Sequence, residues 1–208
     1  MEYNHGMTRH GCLAGSAGGV LDHFRFLAPI YDRVLASPQP DRLRSLLGLP
    51  VAGSLLDVGG GTGRVAHALR GLADKVVVLD ESAAMLQQAR LKGLTAVHGQ
   101  AERLPFPDGA FARILVVDAF HHLQDQQQAA VELLRVLAPS GCLVIEEPNV
   151  ERVSVRLIAL AEKLALMRSH FCPPSALQQI FEAAGGNVRL VRQGLSVWAT
   201  VHRPGTML

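Results

Sequence analysis

The sequence predicts an α/β protein: a doubly wound, mostly parallel sheet of seven strands, covered by helices on both faces and closed by an antiparallel C-terminal hairpin. Three observations carry that expectation. Five short apolar runs lack strict alternation: SLLDV (54–58), KVVVLD (75–80), LTAVHG (94–99), ARILVVD (112–118) and CLVIEE (142–147). Strands buried on both faces read this way, because neither row of side chains meets water. Helical patterns at 63–72, 82–91 and 124–138 fall between successive runs, as crossover connections require. The chain then ends in NVRLVRQ and LSVWATVH, two alternating segments around Gly194, the pattern of a hairpin.

The remaining elements follow from local punctuation. LDHFRFLAPIYDRVLA (21–36) and DRLRSLLGL (41–49) read as two entry helices, split by the Ser37-Pro38-Gln39-Pro40 breaker. Residues 150–172 read as a further helical segment. PPSALQQIFEAAGG (173–186) is another, with proline at its start and glycine past its end. Residues 1–20, rich in Gly, Ser and His, read as a flexible leader before a single domain over 21–208.

Composition narrows the class. At 208 residues, with 49% hydrophobic and 18% charged, the chain can bury a full core. A net charge of +2 is too weak for the basic stripe of a nucleic-acid binder. Cys12, Cys142 and Cys172 are scattered without metal-ligand spacing, which suits a reducing cytoplasm and predicts no metal site. No apolar run reaches the roughly 20 residues of a membrane span, and residues 1–20 contain no apolar signal core.

The chemistry concentrates in LLDVGGGTGRVAHAL (55–69), where Asp57 precedes four glycines in five positions. A strand running into a glycine turn and a helix presents backbone N–H groups at the sheet's C-terminal edge, where open α/β folds bind ligands. Two ligands fit. GTGRVA (61–66) satisfies the dinucleotide pattern, which would make the chain an NAD(P)-dependent reductase. S-adenosylmethionine is the other, with its carboxylate, ammonium, ribose diol and adenine. The second is favoured because Gly59 and Gly60 intervene between the strand and that pattern, and because Asp57 would repel a pyrophosphate but attract an ammonium. Asp80, at the end of the second strand, suits a ribose diol in either ligand.

LLDVGGGTGR, VVVLDESAAML, GQAERLPFPDGAFARILVVDAFHHL and LLRVLAPSGCLVIEEP stand in the order and spacing of class I S-adenosylmethionine-dependent methyltransferases. The third stretch, and LAPIYDRVL before them, resemble the ubiquinone/menaquinone biosynthesis branch. The resemblance spans about residues 26–150. It implies that Gly59, Gly61 and Gly63 approach the methionine portion of the cofactor and that Asp57 is the acid of the glycine motif. It assigns Asp80 to the ribose and Glu81, Ser82 and Met85 to the flanks of the adenine. Gln100, Ala101 and Glu102 stand where the family shows Asp-Ala-Glu; Gln100 replaces the acid that contacts the adenine amino group, and its carbonyl can still accept. Asp118, with Ala119 and His121, falls near the sulfonium and the acceptor.

Transfer from a sulfonium needs alignment and exclusion of water more than activation. A phenol, enol or activated ring carbon gains from a general base, and His121 and His122 are the candidates. Adjacent side chains diverge, so one of them at most faces the acceptor. Tyr31, His23 and His170 lie on segments able to fold over it. The alternation of apolar and charged residues across 150–172 suits a small hydrophobic acceptor of quinol or phenol type, with membrane contact peripheral at most.

Simpler readings stand beside these. Asp57 can cap the helix after it; Met85 can be core; Glu146 and Glu147 can be ordinary strand-end carboxylates; and Cys142 reads as a small buried hydrophobe. LPFPDGAF reads as a loop shaping the next strand. DAFHH lacks the Asn/Asp-Pro-Pro-aromatic cluster of base-amino methyltransferases. A non-catalytic domain that keeps the cofactor site is the remaining alternative, allowed by Gln100.

Overall fold

In a computed structural model, the protein is described over residues 39–152 and 170–204. The leader (1–20), the entry helix at 21–36 with His23 and Tyr31, and the covering segment over 153–169 lie outside the described residues.

Among the described residues, thirteen elements follow in order: α1 (Pro40–Leu47), β1 (Val51–Val58), α2 (Arg64–Ala68), β2 (Ala73–Asp80), α3 (Ala83–Leu91), β3 (Thr95–His98), β4 (Phe111–Val117), a 3-10 turn (Phe120–His122), α4 (Gln126–Val136), β5 (Leu137–Pro148), α5 (Pro174–Ala183), β6 (Asn187–Gln193) and β7 (Ser196–His202). They build one seven-stranded sheet in the order β3-β2-β1-β4-β5-β7-β6. Strands β1 to β5 pair in parallel, while β7 runs antiparallel to both β5 and β6. The expected α/β sheet with its C-terminal hairpin is therefore observed, and β7 inserts beside β5 so that β6 forms the edge.

Two apolar layers explain the uninterrupted strand runs. Leu55, Val76, Val78, Leu115 and Val144 pack with α1, α2 and α3 on one face. Leu56, Val77, Leu79, Ile114, Val116, Leu143 and Ile145 pack with α4 and α5 on the other, where Phe120 and Phe181 meet at 5.4 Å. Alternate residues of one strand thus serve opposite cores, the property that forbids polar alternation.

Boundaries depart from the sequence expectation in two places. The helix expected over 63–72 runs only from Arg64 to Ala68, and turns occupy the residues up to Gly71, which is left-handed at φ 83°. The helix expected over 124–138 ends at Val136, and β5 starts at once with Leu137. Pro139 causes this, because its ring disfavours helical backbone at Ala138. At the other end of the fold, the Arg113 guanidinium on β4 donates to the Leu47 carbonyl, tying the C-terminus of α1 to the sheet.

Candidate active site

The C-terminal edges of the parallel strands gather the residues singled out in the sequence. Chain order reverses between β1 and β4, so the connections leaving these neighbours diverge and open a crevice. Gly59 and Ala119 border it so closely that a Cβ on Gly59 would lie 2.5 Å from that of Ala119.

The glycine loop is tied to β2. Gly59 and Gly60 donate their N–H groups to the Leu79 carbonyl at 2.8 and 3.3 Å. Gly61 donates to Asp80 Oδ2 at 2.9 Å, and Ser82 donates its backbone N–H to Asp80 Oδ1 at 2.8 Å. Asp80 therefore shapes the loop and the start of α3 together. Each carboxylate oxygen retains acceptor capacity, so a diol can still be bound.

The loop's glycines serve different needs. Gly61 is left-handed at φ 55°, and its missing Cβ would lie at ordinary contact distance, 4.0 Å, from both Asp80 Oδ2 and Met85 Sδ beside the end of β2. Gly63 is left-handed too, at φ 71°, but its missing Cβ would collide with Leu94 and crowd Ala89, inside the packing of α3. It lets helix and sheet approach, whereas a Cβ on Gly61 would meet only Asp80 and Met85 without a clash.

Asp57 lies beneath the loop, 1% exposed. Its carboxylate accepts the Ala66 N–H in the first turn of α2, so the capping role occurs. Oδ2 has no hydrogen-bond partner. Burial, with repulsion from Asp80 as a smaller contribution, pushes this carboxyl up to about 7 despite that hydrogen bond. A buried carboxylate oxygen without a donor is what an ammonium would satisfy, directly or through water. The donor set thus fits the amino-acid portion of S-adenosylmethionine, with Gly61 and Asp80 next to it.

Beyond β2, Glu81 accepts a hydrogen bond from the Gln100 side chain, while His98 Nε2 contacts the Glu81 carbonyl at 2.9 Å. Burial, Glu102 and Asp80 raise the Glu81 carboxyl, and the Gln100 bond opposes them. Gln100 therefore replaces what would be one more carboxylate with a donor. Its NH2 engages Glu81, which leaves the carbonyl oxygen for an incoming amino group.

Four expected cofactor residues have structural tasks. Ser82 caps α3 by accepting the Met85 N–H at 3.4 Å, and Met85 is buried behind Gly61. Ala101 lies in the α4–α5 core. Glu102 Oε1 accepts the Gln124 and Asp125 N–H groups ahead of α4, at 2.9 and 3.2 Å.

Across the crevice, Asp118 directly follows β4 with φ 51°, the one non-glycine residue at positive φ among those described, and donates its N–H to the Glu146 carbonyl. The two histidines differ. His121 is 4% exposed; its Nδ1 lies 2.7 Å from Glu147 Oε2 and its ring stacks on Phe171 at 4.2 Å. His122 is half-buried, and burial, together with the neighbouring His121, pushes its imidazole down to about 4. It is a neutral and very weak base near pH 7.

Neither strand-end carboxylate is ordinary. Glu147 lies on the same face as Leu143 and Ile145, toward His121. Glu146 faces the other way, accepts from the Ser196 hydroxyl at 2.9 Å, and is pushed up to about 7 by burial, Asp118 and Glu147 adding to the rise. Period-2 alternation along CLVIEE is the signal that separates them. Cys142 is buried, donates toward the Leu46 carbonyl at 3.6 Å, and is raised to about 11 by burial, which leaves no nucleophilic thiolate.

Comparison with known proteins agrees with this fold. Residues 56–145, from β1 into β5, match the model of a methyltransferase domain. The ubiquinone/menaquinone biosynthesis C-methyltransferase of Hahella chejuensis is 35% identical over 111 residues, covering 48% of this chain and 45% of that protein. The demethylmenaquinone methyltransferase of Thermus thermophilus is 41% identical over 101 residues, covering 45% of this chain and 46% of that protein. The match thus spans about half the length of these curated relatives. Among solved structures, an S-adenosylmethionine-dependent methyltransferase from Thermotoga maritima superposes with a TM-score of 0.72 at 22% identity, covering 86% of this chain and 97% of that one, which establishes a common fold. The dinucleotide alternative finds no support among these matches. Residues 56–145 of this chain thus match a methyltransferase domain, and the chain shares the fold of S-adenosylmethionine-dependent methyltransferases.

Proposed function

We propose that this chain methylates a small apolar acceptor of hydroquinone type, with His121 as the general base. The observation that carries the reading is the placement of His121: a buried imidazole at the crevice rim, hydrogen-bonded through Nδ1 to a buried carboxylate. S-adenosylmethionine supplies an electrophilic sulfonium methyl when bound. Asp57 and the Gly61 backbone would hold its amino-acid end, Asp80 its ribose, and Glu81 with Gln100 its adenine. Asp118 would border the reacting centre.

A hydroquinone ring carbon becomes a good nucleophile when its neighbouring hydroxyl loses a proton. His121 receives that proton; His122, a base of pKa about 4, is poorly matched to the task. The quinone-pathway relatives support an apolar quinol, as does the apolar and charged alternation over 150–172. Among the described residues no helix is long and apolar enough to cross a membrane, which is consistent with contact at a membrane surface. The free thiols Cys142 and Cys172 suit a reducing cytoplasm.

The test is transfer of a labelled methyl group to a short-tailed demethylmenaquinol by the full chain. Ring methylation is expected, with His121→Asn lowering kcat by roughly 10²–10⁴ and leaving cofactor affinity intact. Tight cofactor binding with no transfer to any quinol or phenol would overturn the acceptor class. An unchanged kcat in His121→Asn would overturn the base.

A further inference from the structure

We propose that Glu147 is a positioning residue that fixes the tautomer of His121, holding the proton on Nδ1 so that Nε2 keeps the lone pair. The role rests on the reading of His121 as the base, but its physical content is testable without any acceptor.

The argument turns on which partners can only donate. Glu147 Oε1 accepts the backbone N–H of Phe120 at 2.8 Å, and Oε2 lies 2.7 Å from His121 Nδ1. A backbone N–H has no acceptor capacity, so one carboxylate oxygen is committed whatever the imidazole does. An ionised carboxylate offers no proton, so Nδ1 must be the donor. In a neutral ring the proton is then absent from Nε2.

The surroundings keep that bond from being traded for one to water. The His121 and Glu147 side chains are 4% and 8% exposed. Phe171 lies nearly parallel to the imidazole, 13° between planes, and the His170 N–H donates to the His121 carbonyl at 2.6 Å. Residues 170 and 171 therefore press on the ring and its backbone together. Among the described residues, the titratable neighbours include His122, with ring centres 4.0 Å apart, His170, Cys172, whose thiol Glu147 helps raise, and Glu146, which faces the opposite side of β5. His122, held down by burial to about 4, and Cys172, raised by burial to about 11, both stay neutral near pH 7. Glu147 thus sets its carboxylate directly against Nδ1 of the imidazole.

Glu147→Gln makes the dependence explicit. The glutamine oxygen must take the Phe120 N–H, since an NH2 group there would face another donor. The NH2 then faces Nδ1, which must accept, and the proton moves to Nε2. A nearly isosteric change, with no heavy atom added or lost, reverses the tautomer and hides the lone pair that would receive a proton.

The experiment is two-bond 1H–15N correlation on the full chain labelled at histidine, at pH 8, with the His121 pattern assigned by its loss in His121→Asn. The wild type should show a protonated Nδ1 and an unprotonated Nε2, and Glu147→Gln the reverse. Retained binding of S-adenosylhomocysteine shows that the variant is folded. Glu147→Asp, which keeps a carboxylate, should retain the wild-type tautomer and serves if the glutamine variant does not fold. A wild-type ring protonated on Nε2 alone or on both nitrogens, or a pattern unchanged in Glu147→Gln, overturns the proposal. In the transfer assay, Glu147→Gln should lower kcat by roughly 10²–10⁴ without raising KM. Full transfer by His121→Asn would refute the base and leave the tautomer result standing. An unchanged tautomer with an inactive His121→Asn would refute Glu147 alone.

Discussion

Asp57→Asn should make the protein more stable and a poorer binder of its cofactor. The carboxyl rises from 3.8 to about 7 because it is buried beneath the glycine loop. Its folded pKa lies above the unfolded one, so its stabilising protonation is complete below about pH 4 and is lost as pH rises toward 7. Above pH 7 the folded chain carries an ionised, buried group at a cost of about 4 kcal/mol, at 1.36 kcal/mol per unit. Asparagine removes that cost and can still accept the Ala66 N–H. It places an NH2 where Oδ2 has no partner, which returns about 1–3 kcal/mol of the gain. The net gain at pH 8 is about 1–3 kcal/mol, or roughly 3–10 °C in Tm for a chain of this size. At pH 5 the advantage should largely disappear, because the carboxyl is then protonated and neutral as well.

Binding should move the opposite way. Losing a charged partner for an ammonium costs about 1.5–3 kcal/mol, or roughly 10- to 150-fold in Kd for S-adenosylmethionine and S-adenosylhomocysteine. An ammonium beside Asp57 also favours the ionised carboxyl, so cofactor binding near pH 6.5 should release a proton in the wild type and none in the variant. Calorimetry in two buffers of different ionisation enthalpy measures this, and scanning calorimetry at pH 5 and 8 measures the stability change. A variant less stable at pH 8, with unchanged affinity and proton release, would show that Asp57 serves only as the cap of α2.

The glycines yield a paired prediction. Gly63→Ala should destabilise the fold by about 2–4 kcal/mol, since a Cβ there collides with Leu94 on a left-handed backbone; Gly61→Ala should cost only about 1–2 kcal/mol, from its left-handed backbone alone, yet weaken cofactor binding about tenfold or more. Urea titration beside calorimetry separates them, and equal losses of affinity relative to stability would refute the division. At position 100, Gln100→Asp should weaken S-adenosylmethionine binding several-fold at pH 8, because it sets a carboxylate against Glu81, which burial, Glu102 and Asp80 already raise. The loss should shrink toward pH 5; tighter binding at pH 8 would refute the Glu81–Gln100 pairing.

Much of this fold is legible in the order of its residues. The five buried strands are readable because a strand enclosed by two cores cannot alternate, and Leu55 with Leu56, or Val77 with Val78, serve opposite layers. The glycine loop and the strand-end acids stand out because they break that apolar pattern. Element ends are less legible, as the early start of β5 shows, because Pro139 overrides a helical pattern only where the sheet can receive the chain.

What the sequence determined by itself is the architecture and the edge at which chemistry gathers, since both follow from local patterns of apolar side chains and turn residues. The tertiary structure alone decided the work of each group. Gly61 and Gly63 are two residues apart, yet one lies beside the Asp80 carboxylate with room for a Cβ and the other in the tight packing of α3. Glu146 and Glu147 are adjacent, yet one meets Ser196 and the other His121. His121 and His122 look interchangeable as letters, until Glu147 holds one and burial weakens the other. Those differences depend on desolvation and on partners 26 to 50 residues away, and such free energies belong to the folded chain because no local stretch of sequence contains both members of the pair.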